Sequence, residues 1–181
     1  LVYDENGKEY IWQGNPDIWY GQAPVLFPVI GQLIDDKFRY NGVEYTMPKH
    51  GLARKLLFKV KECEGAKAVF SLESDENTLK SYPFDFELLV AFELKGKSLV
   101  NTMTVINETD GEMYFSIGAH PGFNCEIDDV LEFDTVEDEV INEIQTRKEG
   151  QCNVLEIFQY ACIIFFVVAI VAVLLMFVKV I

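Results

Sequence analysis

Apolar and polar residues alternate through most of the chain with the period of strands. From Phe84 to Leu94 every second position is apolar: Phe84, Phe86, Leu88, Val90, Phe92 and Leu94. That period places all six on one face of a strand and predicts a buried face, with the phenylalanines as core. Lys95-Gly96-Lys97 turns the chain, and Ser98 to Asn107 follows with β-branched Val100, Thr102, Thr104, Val105 and Ile106. Earlier, Lys37–Tyr40 and Val43–Met47 flank Asn41-Gly42. Asn-Gly between two such runs predicts a tight hairpin, because both central residues of that turn need positive φ. Glu108-Thr109-Asp110-Gly111 reads as a further turn and Met113 to Ile117 as another short strand. No amphipathic helix is evident before residue 135. Short strands joined by frequent turns predict an all-β fold, an antiparallel β-sandwich or barrel.

The pattern changes towards the C-terminus. Val136 to Lys148 is polar and is compatible with helix or loop, so residues 136–159 read as a polar connector. Tyr160 to Val178 carries no charge. A run of that length can cross a bilayer as a helix. Arg147 and Lys148 precede it and only Lys179 follows, which assigns the β domain to the cytoplasmic side by the positive-inside rule. Residues 160–178 are thus expected to be a membrane-inserted helix, a stretch of frameshifted sequence or, less in keeping with its length, a buried core helix.

Composition narrows the functional classes. Half of the 181 residues are hydrophobic and 13% are aromatic, which is the composition of a packed domain. A net charge of −14 excludes a nucleic-acid binder, which needs a basic surface, and a peripheral anchor on anionic lipid. Eight acids without a base crowd Glu126 to Glu139. This run reads as a solvated edge or, alternatively, a cation site, although it lacks the glycine of a calcium loop. Cys63, Cys125, Cys152 and Cys162 have neither zinc-ligand nor disulfide-framework spacing, so reduced thiols and no metal are expected.

The two histidines are the best candidates for proton chemistry. His50 lies in Met47-Pro48-Lys49-His50-Gly51-Leu52-Ala53-Arg54 and His120 in Gly118-Ala119-His120-Pro121-Gly122-Phe123-Asn124. Both sit at expected strand ends among Gly and Pro, where an imidazole can be fixed at a sheet rim and can exchange a proton near neutrality. Each can equally be a structural histidine. No serine-nucleophile elbow, cysteine–histidine pattern or phosphate-binding glycine loop is present.

Three blocks together resemble the aldose 1-epimerase (galactose mutarotase) family, in particular its bacterial LacX-like branch. They are Glu9-Tyr10-Ile11-Trp12-Gln13-Gly14-Asn15-Pro16 through Trp19 to Ala23-Pro24-Val25-Leu26-Phe27-Pro28, then His50-Gly51-Leu52-Ala53-Arg54, then Gly118 to Asn124. The resemblance covers Tyr3 to about Asp134, so residues 1–135 are expected to be part of such a domain, incomplete at both ends. It implies a large antiparallel supersandwich that binds an aldohexose in an open cleft and interconverts its α and β anomers without metal or organic cofactor. In that family a histidine of the HPxFN block, here His120, gives a proton to the ring oxygen, and a histidine of the HG block, here His50, hydrogen-bonds the same region. The family's base is a glutamate late in its sequence, which this chain does not reach, so impaired catalysis is expected. Gln32 stands where the family usually has a sugar-binding arginine. Arg54 and Asn124, and Trp12, Trp19, Tyr20 and Phe123 by stacking on its apolar face, are further candidates to touch the sugar. Core packing is the competing role for Trp12, Trp19 and Phe123, and an ion pair for Arg54. A non-catalytic sugar-binding module, held at a membrane by residues 160–178, or a truncated product without a role, is the alternative to an isomerase.

Overall fold

The computed structural model describes residues 7–125 in full and, beyond them, the strand backbones at 131–132, 140–145, 153–161, 171–177 and 179–180. Two short 3-10 turns, at Ile34–Asp36 and Ala53–Lys55, are the helical segments among the described residues, and everything else that is regular is strand. The chain divides into two compact units. One comprises residues 1–25, 118–160 and 179–181; the other comprises residues 26–117 and 161–178.

The larger unit is built on an antiparallel sheet. β4 (Lys59–Glu64), β5 (Lys67–Glu73), β6 (Phe86–Lys95), β7 (Ser98–Asn107) and β13 (Val171–Phe177) lie in the order β13-β7-β6-β5-β4. β6 and β7 pair along their full length, from Phe86↔Asn107 to Lys95↔Ser98, around the predicted Gly96 turn. The alternating face of β6 is buried at Phe86, Leu88 and Val90, but Phe92 is 38% and Leu94 52% exposed. The expectation of a uniformly buried stripe therefore fails at its end: the period holds, and the covering core stops two residues short. Phe27 organises that core, with its ring centroid 5.0 Å from Phe86 and 5.9 Å from Tyr82, both edge-to-face. The Tyr82 hydroxyl donates to the Tyr114 carbonyl at 2.9 Å. Its burial pushes its pKa up, so it stays a neutral donor.

β2 (Lys37–Tyr40) and β3 (Val43–Thr46) form the predicted hairpin. Asn41 and Gly42 have φ of +48° and +80°, as the primed turn requires. A second sheet runs in the order β1 (Val25–Leu26), β8 (Ile117–Ala119), β12 (Asn153–Ala161) and β11 (Val140–Gln145), and β9 (Gly122–Cys125) also pairs with β12. β10 (Leu131–Glu132) pairs with β14 (Lys179–Val180). The strand expected over Met113–Ile117 begins only at Ile117.

Residues 136–159, expected as a polar connector, carry β11 and most of β12. The helix expected over 160–178 is not seen where its residues are described. Tyr160 and Ala161 close β12, and Val171–Phe177 pairs with β7 from Val171↔Ile106 to Phe177↔Val100. The reason is chemical: a Val/Ile/Phe-rich run suits a strand as well as an apolar helix, and hydrophobicity alone does not separate them. The intervening residues 162–170 lie outside the described residues, as does most of the acidic run. Among the described residues no helix is long and apolar enough to cross a membrane.

Candidate functional site

Each unit holds one of the two histidines, and each histidine is fixed by its own set of contacts. In the larger unit His50 follows the hairpin with φ of +65°, a left-handed conformation uncommon for a side chain of this size. A reciprocal pair of hydrogen bonds holds it there. The His50 backbone N–H donates to the Gly31 carbonyl at 2.7 Å, and the Gly31 N–H donates to His50 Nδ1 at 3.1 Å. An Nδ1 that accepts a hydrogen bond carries no proton of its own, so the neutral ring bears its proton on Nε2 and can donate from there. Desolvation, and then the charges of Lys49 and Arg54, hold the His50 pKa below its usual value. The imidazole is consequently a neutral donor at pH 7.

Glycine is required beside it. Gly51 has φ of +75°, and a Cβ there would stand 2.2 Å from the Phe27 carbonyl oxygen. That carbonyl accepts from the N–H groups of Leu52 and Ala53 at 2.8 and 3.1 Å. The HG pair therefore works as a clamp between the 27–31 and 50–53 segments. Gln32, next to Gly31, is exposed and donates through Nε2 to Asp36 Oδ1 at 3.0 Å. Arg54 lies in the 3-10 turn after the clamp, exposed, and forms no ion pair with the described residues.

In the smaller unit His120 stands between β8 and β9 and is only 7% exposed, deeper than an open sheet rim would leave it. Its backbone N–H donates to the Pro24 carbonyl at 3.1 Å. Trp19 meets its ring edge-to-face, with centroids 4.9 Å apart and planes at 69°. Trp19 is itself confined. The Trp12 indole N–H donates to the Trp19 carbonyl at 2.9 Å, and a Cβ on Gly122 would lie 2.8 Å from the Trp19 ring and 2.9 Å from the Trp12 Cβ. The glycine of the HPxFN block thus lets two tryptophans close on the segment after His120.

Phe123 is buried at 5% exposure and bridges to Ile11. Asn124 donates through Nδ2 to the carbonyls of Glu9 and Ile11 at 3.1 and 3.3 Å, and through its backbone N–H to Tyr10 at 2.9 Å. It laces the first block of the sequence to the third. One group escaped the sequence reading: a Glu9 carboxylate oxygen is buried with no hydrogen-bond partner. Nothing in the local pattern marks that position, and its carbonyl is held by Asn124, which lies 115 residues away in the sequence. Among the described residues no cluster of His, Cys, Asp or Glu is arranged to hold a metal ion.

The stretch of chain that holds both histidines is matched by known proteins. A family profile described as aldose 1-epimerase matches residues 2–156. Protein LacX (plasmid) of Lactococcus lactis subsp. lactis is 39% identical over 149 residues, which are 75% of this chain and 50% of that protein. A solved galactose mutarotase related enzyme from Lactobacillus acidophilus is 33% identical, with a TM-score of 0.65 over 82% of this chain and 52% of its own. A galactose mutarotase-like protein from Lactobacillus casei is 26% identical, with a TM-score of 0.68 over 84% of this chain and 58% of its own. The chain spans about half the length of the curated relatives it matches. With the family profile matching most of its residues and a 39% identical LacX relative covering 75% of it, the chain belongs to the aldose 1-epimerase family.

Proposed function

We propose that this chain carries the histidine half of an anomer-interconverting site for an aldohexose. Opening a pyranose ring needs a proton taken from the C1 hydroxyl and one given to the ring oxygen. The C1–O5 bond breaks to an aldehyde, the C1–C2 bond rotates, and the ring recloses with the two proton transfers reversed. His120 gives the proton to the ring oxygen, and His50 donates a hydrogen bond from Nε2–H to the same region of the sugar. The observation that carries this reading is the Gly31–His50 pair of hydrogen bonds, which fixes the tautomer that such a donor needs. Trp19 orients the His120 ring. Gln32 and Arg54 supply donors to sugar hydroxyls, and Phe123 and Asn124 brace the strand that follows His120.

No base is assigned here. A site that works without a positioned base typically forfeits roughly 10²–10⁴-fold in rate. These residues by themselves are therefore proposed to bind sugar and to turn it over poorly. Gln32 favours binding without turnover as the second reading, because it lacks the charged fork of arginine and already donates to Asp36. Polarimetry of freshly dissolved α-glucose and α-galactose tests the proposal. Mutarotation at the buffer rate is expected. Acceleration that disappears in His120→Ala would show that a base is present and that the chain is a full isomerase. Acceleration that survives the substitution would remove His120 from the mechanism.

A further inference from the structure

β4 ends its sheet among the described residues, and all six of its residues, Lys59-Val60-Lys61-Glu62-Cys63-Glu64, are exposed. An open edge is a template for another strand, and proteins commonly guard it with charge. The charges here are not of one sign. The lysines fall in the first half and the glutamates in the second. Laid antiparallel against itself about a two-fold axis between Lys61 and Glu62, the strand sets Lys59 opposite the partner's Glu64. It also sets Val60 opposite the partner's Cys63 and Lys61 opposite the partner's Glu62. An axis through Lys61 would oppose the two copies of that lysine, and an axis through Glu62 would oppose the two glutamates.

A regular strand could not use this axis. Its side chains alternate, so residues related across a point between two positions would face opposite sides of the joined sheet. β4 is not regular. Its register against β5 slips between Val60 and Glu62, leaving Lys61 as the extra residue of a β-bulge. Lys59, Glu62 and Glu64 oppose Ser71, Val69 and Lys67 on one face of β5, whereas Val60 and Cys63 oppose Phe70 and Ala68 on the other. Lys61 pairs with Glu87, which opposes Glu73 on the first of these faces. The order of faces along β4 is therefore symmetric about the Lys61–Glu62 midpoint. Every charged pair then meets on one face and both Val60–Cys63 pairs meet on the other. The bulge that would deter a flat strand is matched by the same bend in a second copy.

We propose that β4 is the contact edge of a two-fold symmetric dimer of this chain. Its charged face joins the ion pairs Lys59–Glu73, Lys61–Glu87 and Glu62–Lys67 of each copy. Its apolar face covers Val60, which is 65% exposed. The net charge of −14 opposes association at long range. Near-physiological salt screens such repulsion beyond about 8 Å and leaves contact pairs largely intact.

Sedimentation equilibrium of the full chain in that salt, over a wide concentration range, is expected to show a monomer–dimer equilibrium. In Val60→Cys, oxidation is expected to give a covalent dimer with residue 60 of one copy bonded to Cys63 of the other, identified by mass spectrometry of a mixture of isotope-labelled and unlabelled chains. Within one strand those positions stand roughly 10 Å apart, too far for a disulfide. Glu64→Lys, which sets lysine against lysine twice, is expected to raise the dissociation constant roughly tenfold with the circular dichroism unchanged. A monomer at all concentrations would overturn the proposal. So would a dimer that forms no 60–63 bond and ignores Glu64→Lys.

Discussion

The two histidine segments reach rigidity by different means. His50 is held by backbone: a reciprocal hydrogen bond with Gly31, a left-handed φ, and a glycine pressed against the Phe27 carbonyl. His120 is held by side chains: the Trp19 ring on its edge, and a second tryptophan packed with Trp19 over Gly122. A backbone clamp fixes which nitrogen carries the proton. An aromatic wall fixes where the ring lies and keeps water from it. A donor needs the first and a proton-transfer group benefits from the second, so the contrast fits the two roles proposed.

Substitution is expected to do the most damage at Gly51. Alanine there meets both a forbidden approach to a carbonyl and a left-handed φ, so Gly51→Ala should cost about 4 kcal/mol in chemical denaturation, or prevent folding. Gly122→Ala meets two side chains rather than backbone. It should cost about 2 kcal/mol and displace Trp19, seen as a red shift of tryptophan emission. Gly31→Ala sharpens the contrast. A Cβ at that position has open space, so only the φ of +79° is penalised, and a loss of about 1 kcal/mol is expected with the His50 contact kept.

The smallest effect is one of pH. The folded pKa of His50 lies below its usual value of 6.5 because of desolvation and the nearby Lys49 and Arg54 charges. The unfolded chain therefore binds this proton more readily. Its contribution to stability is full above about pH 6.5 and declines as the pH falls through the lower folded value. In His50→Gln, denaturation curves between pH 7 and pH 5 should show a shallower loss of stability than the parent chain. An unchanged slope would show that the ring is not desolvated in the folded state.

Much of the fold was legible in the sequence because its determinants are local. Asn41-Gly42 dictates its own turn, and alternation from Phe84 to Val90 dictates a buried face. The end of that face was not legible, because exposure of Phe92 and Leu94 depends on how far other segments extend over the sheet. The strand character of Val171–Phe177 was also hidden, since an uninterrupted apolar run has no period to read. At the candidate site the residue types and their Gly and Pro neighbours could be picked out. The Gly31–His50 bonds and the Trp19–His120 contact could not, because they join residues 19 and 101 positions apart by packing that no local pattern records.

The chain has only two histidines, so imidazole NMR signals can be assigned from His50→Gln and His120→Ala alone. Titration of the parent chain with an equilibrated aldohexose tests the central claim directly. Both signals are expected to move and saturate together at one sugar concentration, and each substitution to weaken the response of the remaining histidine. Two signals that stay in place at high sugar concentration, in protein shown to be folded, would contradict it.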